Sequence, residues 1–309
     1  MRMFIKKIKR NKMLLLMVLP ATIWFILFKY LPMIGNVIAF QEFQYSSDGL
    51  IGAIMHSKWV GLDNFKFLFA THDAFIITRN TLLYNFAFII IGLFLPVTLA
   101  IILSELTNKK MSKLYQSGMI LPHFLSWVVV GYFAFSFLSM DKGMLNQALQ
   151  LFGMEPRLWY NEPKYWPWIL LLVQAWKSLG YSGIIYLAAV AGIDRTYYEA
   201  AVIDGANKWQ QIRHVTIPHL KPLMVILTIL AVGQIFHSDF GLFYQIPRES
   251  GALFQVTNVI DTYVYRSMKD MGVFGMSAAA GLYQSLVGFV LVIATNLIVR
   301  RIDKDQALF

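Results

Sequence analysis

Six long apolar segments divide this chain of 309 residues and restrict what it can fold into. A hydrocarbon layer of about 30 Å needs about 20 apolar residues per helix, and each segment reaches that length. Because a backbone inside lipid must satisfy its own hydrogen bonds, such segments are expected to be helices. They cover residues 13–40, 81–103, 114–138, 166–192, 220–240 and 274–299. The sequence therefore predicts an all-α polytopic membrane protein with six transmembrane helices, in which residues 1–309 form a single membrane domain.

The composition favours a membrane protein and argues against several soluble activities. Hydrophobic residues make up 57% of the chain, charged residues make up 14%, and the mean hydropathy is +0.55. The sequence contains no cysteine and no GxxxxGKS/T, GxGxxG or HExxH motif. Thiolate metal sites, nucleotide hydrolysis, dinucleotide binding and zinc proteolysis therefore lack sequence support. The six histidines have no ligand spacing between them, and we expect neither a metal nor a cofactor on this chain.

Basic residues are distributed unevenly between the two sides of the predicted bundle. Sixteen Lys and Arg residues flank the spans on the side that holds both termini, and nine lie on the other side in longer loops. Because basic residues are enriched in cytoplasmic loops, both termini and the loop after the fourth span are expected in the cytoplasm. Anionic headgroups at that face account for the net charge of +10, and no nucleic-acid partner is expected.

A polar loop, residues 193–219, connects the fourth and fifth predicted spans and has the pattern of two short helices. Thr196 and Glu199 have the spacing of a capping box, in which each side chain binds an unpaired amide. Gly205 can adopt the left-handed conformation that ends such a helix. A second short helix is predicted over residues 207–212, and Pro218 would steer the chain into the next span. The simplest interpretation is that Glu199 only caps a helix and Gly205 only ends it.

This loop resembles the coupling loop of the permease subunits of ATP-driven (ABC) importers. The resemblance rests on Glu199-Ala200-Ala201, on Asp204-Gly205-Ala206 and on Ile217-Pro218, in a loop that precedes the last two spans. It implies a coupling helix-turn-helix that docks in a cleft of a separate ATPase and passes its movement to the spans. The residues implied to take part are Glu199, Ala200, Ala201, Asp204, Gly205, Trp209, Ile212, Ile217 and Pro218.

Other stretches are similar to one branch of the sugar permeases of this family. They are residues 121–129, 176–181, 260–266, 281–285 and 296–301. The branch comprises lipoprotein-type and polygalacturonan-type permeases, is related to the maltose-type permeases, and imports oligosaccharides released from polysaccharides. The resemblance implies a subunit of a bacterial cell membrane that is not an enzyme and pairs with a second, homologous permease. It also implies a cytoplasmic ATPase dimer that binds ATP and Mg, and an external solute-binding protein that delivers the oligosaccharide.

Polar side chains in two predicted spans are candidates for the sugar pathway, because polar groups inside a membrane tend to face a pathway or the bundle interior. The candidates are Gln174, Trp176, Lys177 and Tyr181 in the fourth span and Gln234, His237 and Asp239 near the outer end of the fifth. Each also has a structural interpretation. The glutamines could bond across helices, His237 could be an interior histidine, and Lys177 could pair with Asp239 or reach the interface.

Four other classes of function are possible interpretations of these patterns. An ion-coupled secondary carrier usually shows internal repeats and acidic residues at the midplane, whereas the spans here contain few acids. An importer permease for a solute other than a sugar stays open. A non-transporting scaffold would need neither the 193–219 loop nor polar side chains in two spans. The outline of the loop also fits a DNA-binding helix-turn-helix, but membrane spans on both sides and the lack of a basic recognition face argue against it.

Overall fold

Long apolar helices are the main elements of the protein. The computed structural model describes residues 11–44, 49–70 and 72–302. In that part of the chain, five helices are long and apolar enough to cross a membrane, and a bent pair of helices is a sixth candidate. The five are Lys12–Phe40, Asp73–Ser104, Pro163–Ala191, Lys208–Gly233 and Phe274–Arg301, and the pair is Lys110–Phe124 with Trp127–Leu138. The predicted class, a helical protein with several membrane spans, is confirmed.

The basic residues that predict the orientation of the protein in the membrane lie partly outside the described residues. The basic residues of the chain ends that are outside the described residues are Arg2, Lys6, Lys7, Lys9, Arg10 and Lys304. The cytoplasmic position of the termini therefore stays a prediction from sequence.

The described chain consists of short and long helices and one small sheet. The α-helices are α1 (Lys12–Phe25), α2 (Gly49–His56), α3 (Phe67–Ala70), α4 (His72–Ser104), α5 (Lys109–Phe124), α6 (Trp127–Leu138), α7 (Met144–Leu151), α8 (Trp166–Ala191), α9 (Arg195–Ile203), α10 (Lys208–Gln211), α11 (Ile217–Gly233), α12 (Phe240–Gln245), α13 (Phe254–Thr257), α14 (Ile260–Met271) and α15 (Phe274–Ile302). The strands are β1 (Gln41–Glu42) and β2 (Lys58–Trp59). A π-helical turn (Ile26–Tyr30) and a 3-10 helix (Leu31–Phe40) extend α1, and a second π-helical turn (Ile212–Thr216) joins α10 to α11.

Of the described residues, 11–44, 49–70 and 266–283 form one compact unit. In it, β1 and β2 pair antiparallel, with Gln41 opposite Trp59. The Phe40 ring stacks on the Trp59 ring at a centroid distance of 5.6 Å. Asn64 Nδ2 donates to the carbonyl oxygens of Ala39 and Gln41 at 3.0 and 2.9 Å. These contacts tie the segment around Trp59 to the end of the first predicted span.

Of the described residues, 72–265 and 284–302 form a second compact unit, which contains the 193–219 loop and all the pathway candidates. Its core has two clusters of buried apolar side chains. The first contains Tyr84, Val130, Leu138, Trp166, Leu170, Leu242, Phe243, Ile246, Leu253 and Val259. The second contains Val97, Ala100, Tyr186, Val190 and Leu220. The second cluster joins α4, α8 and α11, so the second, fourth and fifth predicted spans share one core.

The third predicted span, 114–138, is not one continuous helix. It consists of α5 and α6, which meet at an angle of 99°. Leu125 is extended with ψ 135°, and the Ser126 side chain accepts a hydrogen bond from Val129 N at 3.3 Å, which starts the new helix. Hydrophobicity alone could not reveal this break, because the two helices together have the length and hydropathy of one span and a serine also occurs within spans.

The fifth predicted span, 220–240, ends earlier than the sequence indicated. Its last helix, α11, stops at Gly233, and residues 234–239 form a non-helical segment before α12. Asp239 is the N-cap of α12, where its Oδ1 accepts from the amides of Gly241 and Leu242 at 2.9 and 3.3 Å. The second span begins earlier than predicted, since α4 starts at residue 72.

Candidate functional site

The first helix of the 193–219 loop is capped by Asp194 and not by the predicted Thr196. Asp194 is extended, and its side chain accepts from Thr196 N at 3.0 Å. This hydrogen bond from the Thr196 backbone lowers the pKa of the Asp194 carboxyl. The predicted capping box of Thr196 and Glu199 is therefore wrong, because the helix starts two residues before it. Glu199 lies inside α9 with an exposed side chain.

Gly205 ends α9 as predicted. Its φ is +78°, its amide donates to Val202 O at 3.0 Å, and the amide of Ala206 donates to Ala201 O at 2.8 Å. This pair of hydrogen bonds is a Schellman motif, which satisfies the last carbonyls of a helix. A capping box does occur in the loop, but at Asn207 and Gln210, whose side chains and amides bind one another at 2.8 and 3.0 Å.

The second helix of the loop is not a separate element, which corrects the prediction of two short helices about a turn. From residue 208 the chain is helical through α10, the π-helical turn and α11 as far as Gly233. Pro218 lies in the first turn of α11 and does not redirect the chain. A proline ring clashes with the carbonyl four residues before it in a regular α-helix, and the widened π turn gives that carbonyl room.

Contacts between α9 and the base of α11 hold the loop together. Tyr198 Oη and Thr216 Oγ1 are 2.9 Å apart, and the rings of Tyr197 and His219 lie 4.9 Å apart. Gln211 is buried, and its Nε2 donates to Ala206 O at 2.9 Å. These contacts bind α9 to the helix that continues as α11.

The loop presents apolar side chains on its surface. Val202, Ile203 and Trp209 are exposed by 60%, 85% and 68%. Of the residues implied by the resemblance, two are half-buried, Ala201 and Ile212. Those that are exposed are Glu199, Ala200, Asp204, Gly205, Trp209, Ile217 and Pro218. Val202 and Ile203 are not among the predicted residues, although two apolar residues just before the Asp204-Gly205 turn of a polar loop are a visible signal.

A cavity of ≈ 460 Å³ lies among α4, α8 and α11 in the second unit. We call it the pathway cavity. The pathway candidates that line it are Gln174, Tyr181, Gln234, His237 and Asp239. Polar lining residues that the sequence analysis missed are Asn85, Ser182 and Thr228. Within the described part of the chain, the amide side chains of Gln174 and Gln234 have no hydrogen-bond partner. They are therefore available to bond a solute, which a glutamine committed across helices would not be.

Trp176 and Lys177 do not line the pathway cavity. The Trp176 side chain is 45% exposed. Lys177 Nζ donates to the carbonyl oxygens of Pro122, His123 and Leu125 at 3.2, 3.0 and 2.5 Å. The His123 and Leu125 carbonyls have no backbone donor where α5 breaks, whereas Pro122 O also accepts from Leu125 N at 3.2 Å. An unpaired carbonyl at membrane depth is costly. Lys177 is therefore the group that makes the break in the third span tolerable.

Lys177 and Asp239 are linked through a third residue and do not pair directly. Lys177 Nζ lies 5.0 Å from the Trp127 ring centroid, and Trp127 Nε1 donates to Asp239 Oδ2 at 3.0 Å. Asp239 lines the pathway cavity, so the break between α5 and α6 contacts the cavity lining. The hydrogen bond between Trp127 and Asp239 could not be predicted from sequence spacing, because the two residues are 112 positions apart.

Three side chains hold the non-helical segment 234–239 in place. Asn85 Nδ2 donates to Ile235 O at 2.9 Å, and Gln284 Nε2 donates to Phe236 O at 2.5 Å. The Asp261 carboxylate accepts from Ser238 N at 2.8 Å. Burial raises the pKa of the Asp261 carboxyl, and the hydrogen bond from the Ser238 backbone opposes that shift. The segment thus gains the hydrogen bonds that the end of a helix lacks, and Gln234, His237 and Asp239 are fixed against the cavity.

Lys177→Met is expected to lower the stability of the protein. The substitution keeps the length of the side chain but leaves carbonyls of the break without a donor, at a cost of about 1–3 kcal/mol for each unsatisfied group. Thermal unfolding of the purified protein in detergent should show a lower midpoint for Lys177→Met. Lys177→Arg, which keeps the charge and the donors, should lie closer to wild type. An unchanged midpoint for Lys177→Met would contradict this role.

Metal binding has no visible basis in the described residues. In the ranges 11–44, 49–70 and 72–302, no group of three or more His, Asp or Glu side chains could hold a metal ion.

Apolar helical spans around a cavity with several polar lining residues, joined by an exposed loop helix, are typical of a multi-pass membrane permease. The sequence profile of the family described as "Binding-protein-dependent transport system inner membrane component" matches residues 97–304. The chain belongs to this family. It is a permease subunit of an importer and not an enzyme, and it is a multi-pass membrane protein.

Comparison with known proteins extends the similarity to nearly the whole chain. The polygalacturonan/rhamnogalacturonan transport system permease protein YteP of Bacillus subtilis (strain 168) is 37% identical, over 98% of this chain and 92% of that protein. Protein LplB of the same organism is 31% identical, over 96% of this chain and 92% of LplB. A solved chain of a bacterial ABC transporter involved in the import of the acidic polysaccharide alginate is 31% identical, with a TM-score of 0.86, and the match covers 98% of this chain and 100% of that one. The predicted resemblance to ABC sugar permeases is confirmed.

Proposed function

We propose that this chain forms one half of the transmembrane pathway of an ATP-driven importer that translocates oligosaccharides delivered by an external solute-binding protein. One observation carries the proposal: two of the three helices that line the pathway cavity, α8 and α11, lead directly into the 193–219 loop. The helix α8 is followed by α9 after three residues, and α11 is continuous with α10. A push on the loop therefore acts on the walls of the cavity.

The lining of the pathway cavity suits a polyhydroxylated solute. Gln174 and Gln234 offer both donors and acceptors, and the Tyr181 ring offers an aromatic face. Tyr181 stacks on His123 at a centroid distance of 4.5 Å, which holds its ring in one orientation. Sugars are bound by hydrogen bonds to their hydroxyl groups and by aromatic faces against their C–H faces. The names of YteP and of the alginate transporter, which refer to polysaccharides, support the same class of solute.

The proposed architecture is a single permease domain, residues 1–309, with six transmembrane helices in the cell membrane of a bacterium. The bent pair α5–α6 counts as the third span, and the 193–219 loop lies between the fourth and fifth. Both termini and this loop face the cytoplasm, as the distribution of basic residues predicts. The coupling contact is made by α9, by the Gly205 turn and by α10.

The proposed partners are a second, homologous permease, a cytoplasmic ATPase dimer and the solute-binding protein. ATP and Mg bind to the ATPase, and this chain carries no cofactor. Exposed apolar side chains at Val202, Ile203 and Trp209 support the ATPase contact, because a cluster of apolar surface outside the membrane marks an interaction site. One solved alginate transporter is in complex with an alginate pentasaccharide-bound periplasmic protein. That complex supports the third partner.

Replacing both Gln174 and Gln234 with leucine is expected to weaken solute uptake without preventing assembly. Leucine has nearly the same volume as glutamine but forms no hydrogen bond, and each lost bond costs about 0.5–1.5 kcal/mol. The half-saturating oligosaccharide concentration should rise about tenfold. The measurement is ATP-dependent uptake into vesicles that contain the complete importer.

Trp176→Leu is the matched control, since Trp176 lies in the same helix outside the cavity. It should leave uptake unchanged. Collapse of the proton and sodium gradients should also leave uptake unchanged, whereas omission of ATP should abolish it. Uptake that follows an ion gradient would replace this proposal with a secondary carrier.

A further inference from the structure

The loop between α6 and α8 contains α7, a short helix with one apolar and one polar side. With about 3.6 residues per turn, the apolar side chains of residues 144–152 fall on one continuous face. They are Met144, Leu145, Ala148, Leu149, Leu151 and Phe152. Asn146, Gln147 and Gln150 lie on the opposite side. The helix α7 is therefore amphipathic.

The apolar side of α7 is exposed, and the residue that α7 buries is polar. Leu151 and Phe152 are exposed by 87% and 81%, and Met144 and Leu145 are also exposed. The buried residue of α7 is Asn146. A helix packed on a protein in water has the reverse arrangement, with its apolar stripe toward the core. The orientation of α7 therefore indicates apolar surroundings that this chain does not itself supply.

The Asn146 side chain ties α7 to the ends of two neighbouring helices. Its Nδ2 donates to Ser139 O, directly after α6, at 3.2 Å. Its Oδ1 accepts from Trp159 Nε1 at 3.0 Å, and Trp159 O accepts from Nε1 of Trp166, the first residue of α8, at 2.7 Å. Because α8 is long and apolar enough to cross a membrane, these hydrogen bonds hold α7 at the level where α8 enters it.

The residues around α7 favour a lipid surface over a charged protein partner. Exposed apolar side chains continue along the loop and into α8 at Met154, Leu158 and Trp168. Tryptophan at the start of a span is typical of the membrane–water interface. The charged residues of the loop balance one another: Asp141, Glu155 and Glu162 are acidic, and Lys142, Arg157 and Lys164 are basic. A surface without net charge provides no electrostatic selection for an acidic or a basic protein.

We propose that α7 lies in the surface of the lipid bilayer, with its apolar side at the boundary between headgroups and acyl chains. Amphipathic helices of this kind lie in the plane of the interface, with the apolar face about 5–10 Å deep. The lipid at α7 is continuous with the lipid around α8, because Asn146 and Trp159 hold α7 beside the start of that span. The lipid contact rests on the proposed six-span architecture and extends it. It anchors the end of α8 that lies away from the 193–219 loop, and α8 lines the pathway cavity.

Spin labels on the two sides of α7 test this placement. The chain contains no cysteine, so one introduced cysteine gives it one labelling site. Leu151→Cys, Phe152→Cys and Gln150→Cys are each labelled with a nitroxide in the complete importer in nanodiscs. Power saturation measures how often the label collides with oxygen, which concentrates in lipid, and with a nickel chelate, which stays in water. The unmodified importer, treated with the same label, gives the background from the other subunits.

Labels on the apolar side are expected to collide more with oxygen than with the nickel chelate. The ratio of the two collision rates at Leu151→Cys and Phe152→Cys should be several times the ratio at Gln150→Cys. Gln150 is the matched control, because it is exposed and adjacent to Leu151 but lies on the polar side. In water alone the chelate would reach all three labels equally, since all three native side chains are exposed. Equal access would overturn the proposal.

Two further results would also contradict the lipid contact. Low collision rates with both reagents at Leu151→Cys and Phe152→Cys would mean that another subunit covers the apolar side. Protection that appears only after the solute-binding protein is added would assign the surface to that protein.

Failure of the lipid contact and failure of the proposed function are distinguishable. ATP-dependent uptake by the unmodified importer, together with labels that the nickel chelate reaches, removes only the lipid contact. Absence of ATP-dependent oligosaccharide uptake by the unmodified importer removes the proposed function, whereas the collision ratios still report whether α7 lies in lipid.

Discussion

Gly205→Val is expected to abolish solute uptake while leaving the spans folded and inserted. The φ of Gly205 is +78°, and a Cβ built there meets no atom within 4 Å. Space is therefore available, and the penalty comes only from the backbone, at about 1–2 kcal/mol and more for a β-branched residue. A valine would relieve this strain by leaving the left-handed region. That change breaks the hydrogen bonds to Val202 O and Ala201 O.

Gly205→Val is also expected to disturb coupling, because the two lost hydrogen bonds position the helices of the loop. They fix the direction in which α10 leaves α9, and with it the placement of Trp209 relative to Ile203. Without them, the exposed apolar side chains no longer form one surface for the ATPase. Gly205→Val should therefore lose the ATPase during purification, or hydrolyse ATP without moving solute, while the yield of folded permease stays near wild type.

Gly205→Asn provides the control at the same position. Asparagine enters the left-handed region far more readily than valine, so this variant should keep the ATPase and most of the uptake. The assay is co-purification of the ATPase together with uptake into vesicles that contain the reconstituted importer. Normal uptake by Gly205→Val would mean that the 193–219 loop is not the coupling element.

Gly180→Ala is expected to prevent stable folding. A Cβ at Gly180 would lie 1.8 Å from Met119 O and 2.3 Å from Met119 C. Both are backbone atoms of α5, so a rotamer change cannot relieve the clash. The two helices must separate, and overpacking of this kind costs about 3 kcal/mol or more. Small residues at such crossings let helix backbones approach in membranes. The α5–α8 contact would therefore be lost, and with it the position of Lys177 against the end of α5.

The measurement for Gly180→Ala is the fraction of solubilised protein that elutes as a monodisperse species, together with its thermal midpoint. Gly118→Ala is the matched control, because Gly118 lies beside Met119 in α5 and a Cβ there meets nothing within 4 Å. It should behave like wild type. A Gly180→Ala protein as stable as Gly118→Ala would show that α5 and α8 do not cross as closely as described.

The helix ends of the 193–219 loop illustrate where sequence patterns compete. Thr196 and Glu199 match a capping box in spacing, yet Asp194 caps the helix. Both patterns are present within six residues, and the backbone conformation at Asp194 decides between them. Gly205 was predictable because no other residue nearby tolerates positive φ as readily. The capping box at Asn207 and Gln210 has an equally visible sequence pattern.

The sequence itself determines the number and positions of the apolar segments. It also determines the class of the protein and the glycine turn at residue 205. Lipid leaves an apolar backbone few alternatives to a helix, and positive φ leaves few alternatives to glycine, so local composition is sufficient for both. For the same reason α8 and α15 begin where the segments 166–192 and 274–299 begin.

Only the tertiary structure decided where the spans break and what each polar side chain does. Lys177 and Gln174 lie one turn apart in α8, yet Lys177 binds the carbonyls of the broken third span while Gln174 faces the pathway cavity. Asp239 is an N-cap, and Arg248 lies on an aromatic ring contributed by α6. The role of a polar side chain depends on which group from a distant part of the sequence lies close enough to contact it. Helix packing decides which groups come that close, and the neighbouring residues in the sequence do not.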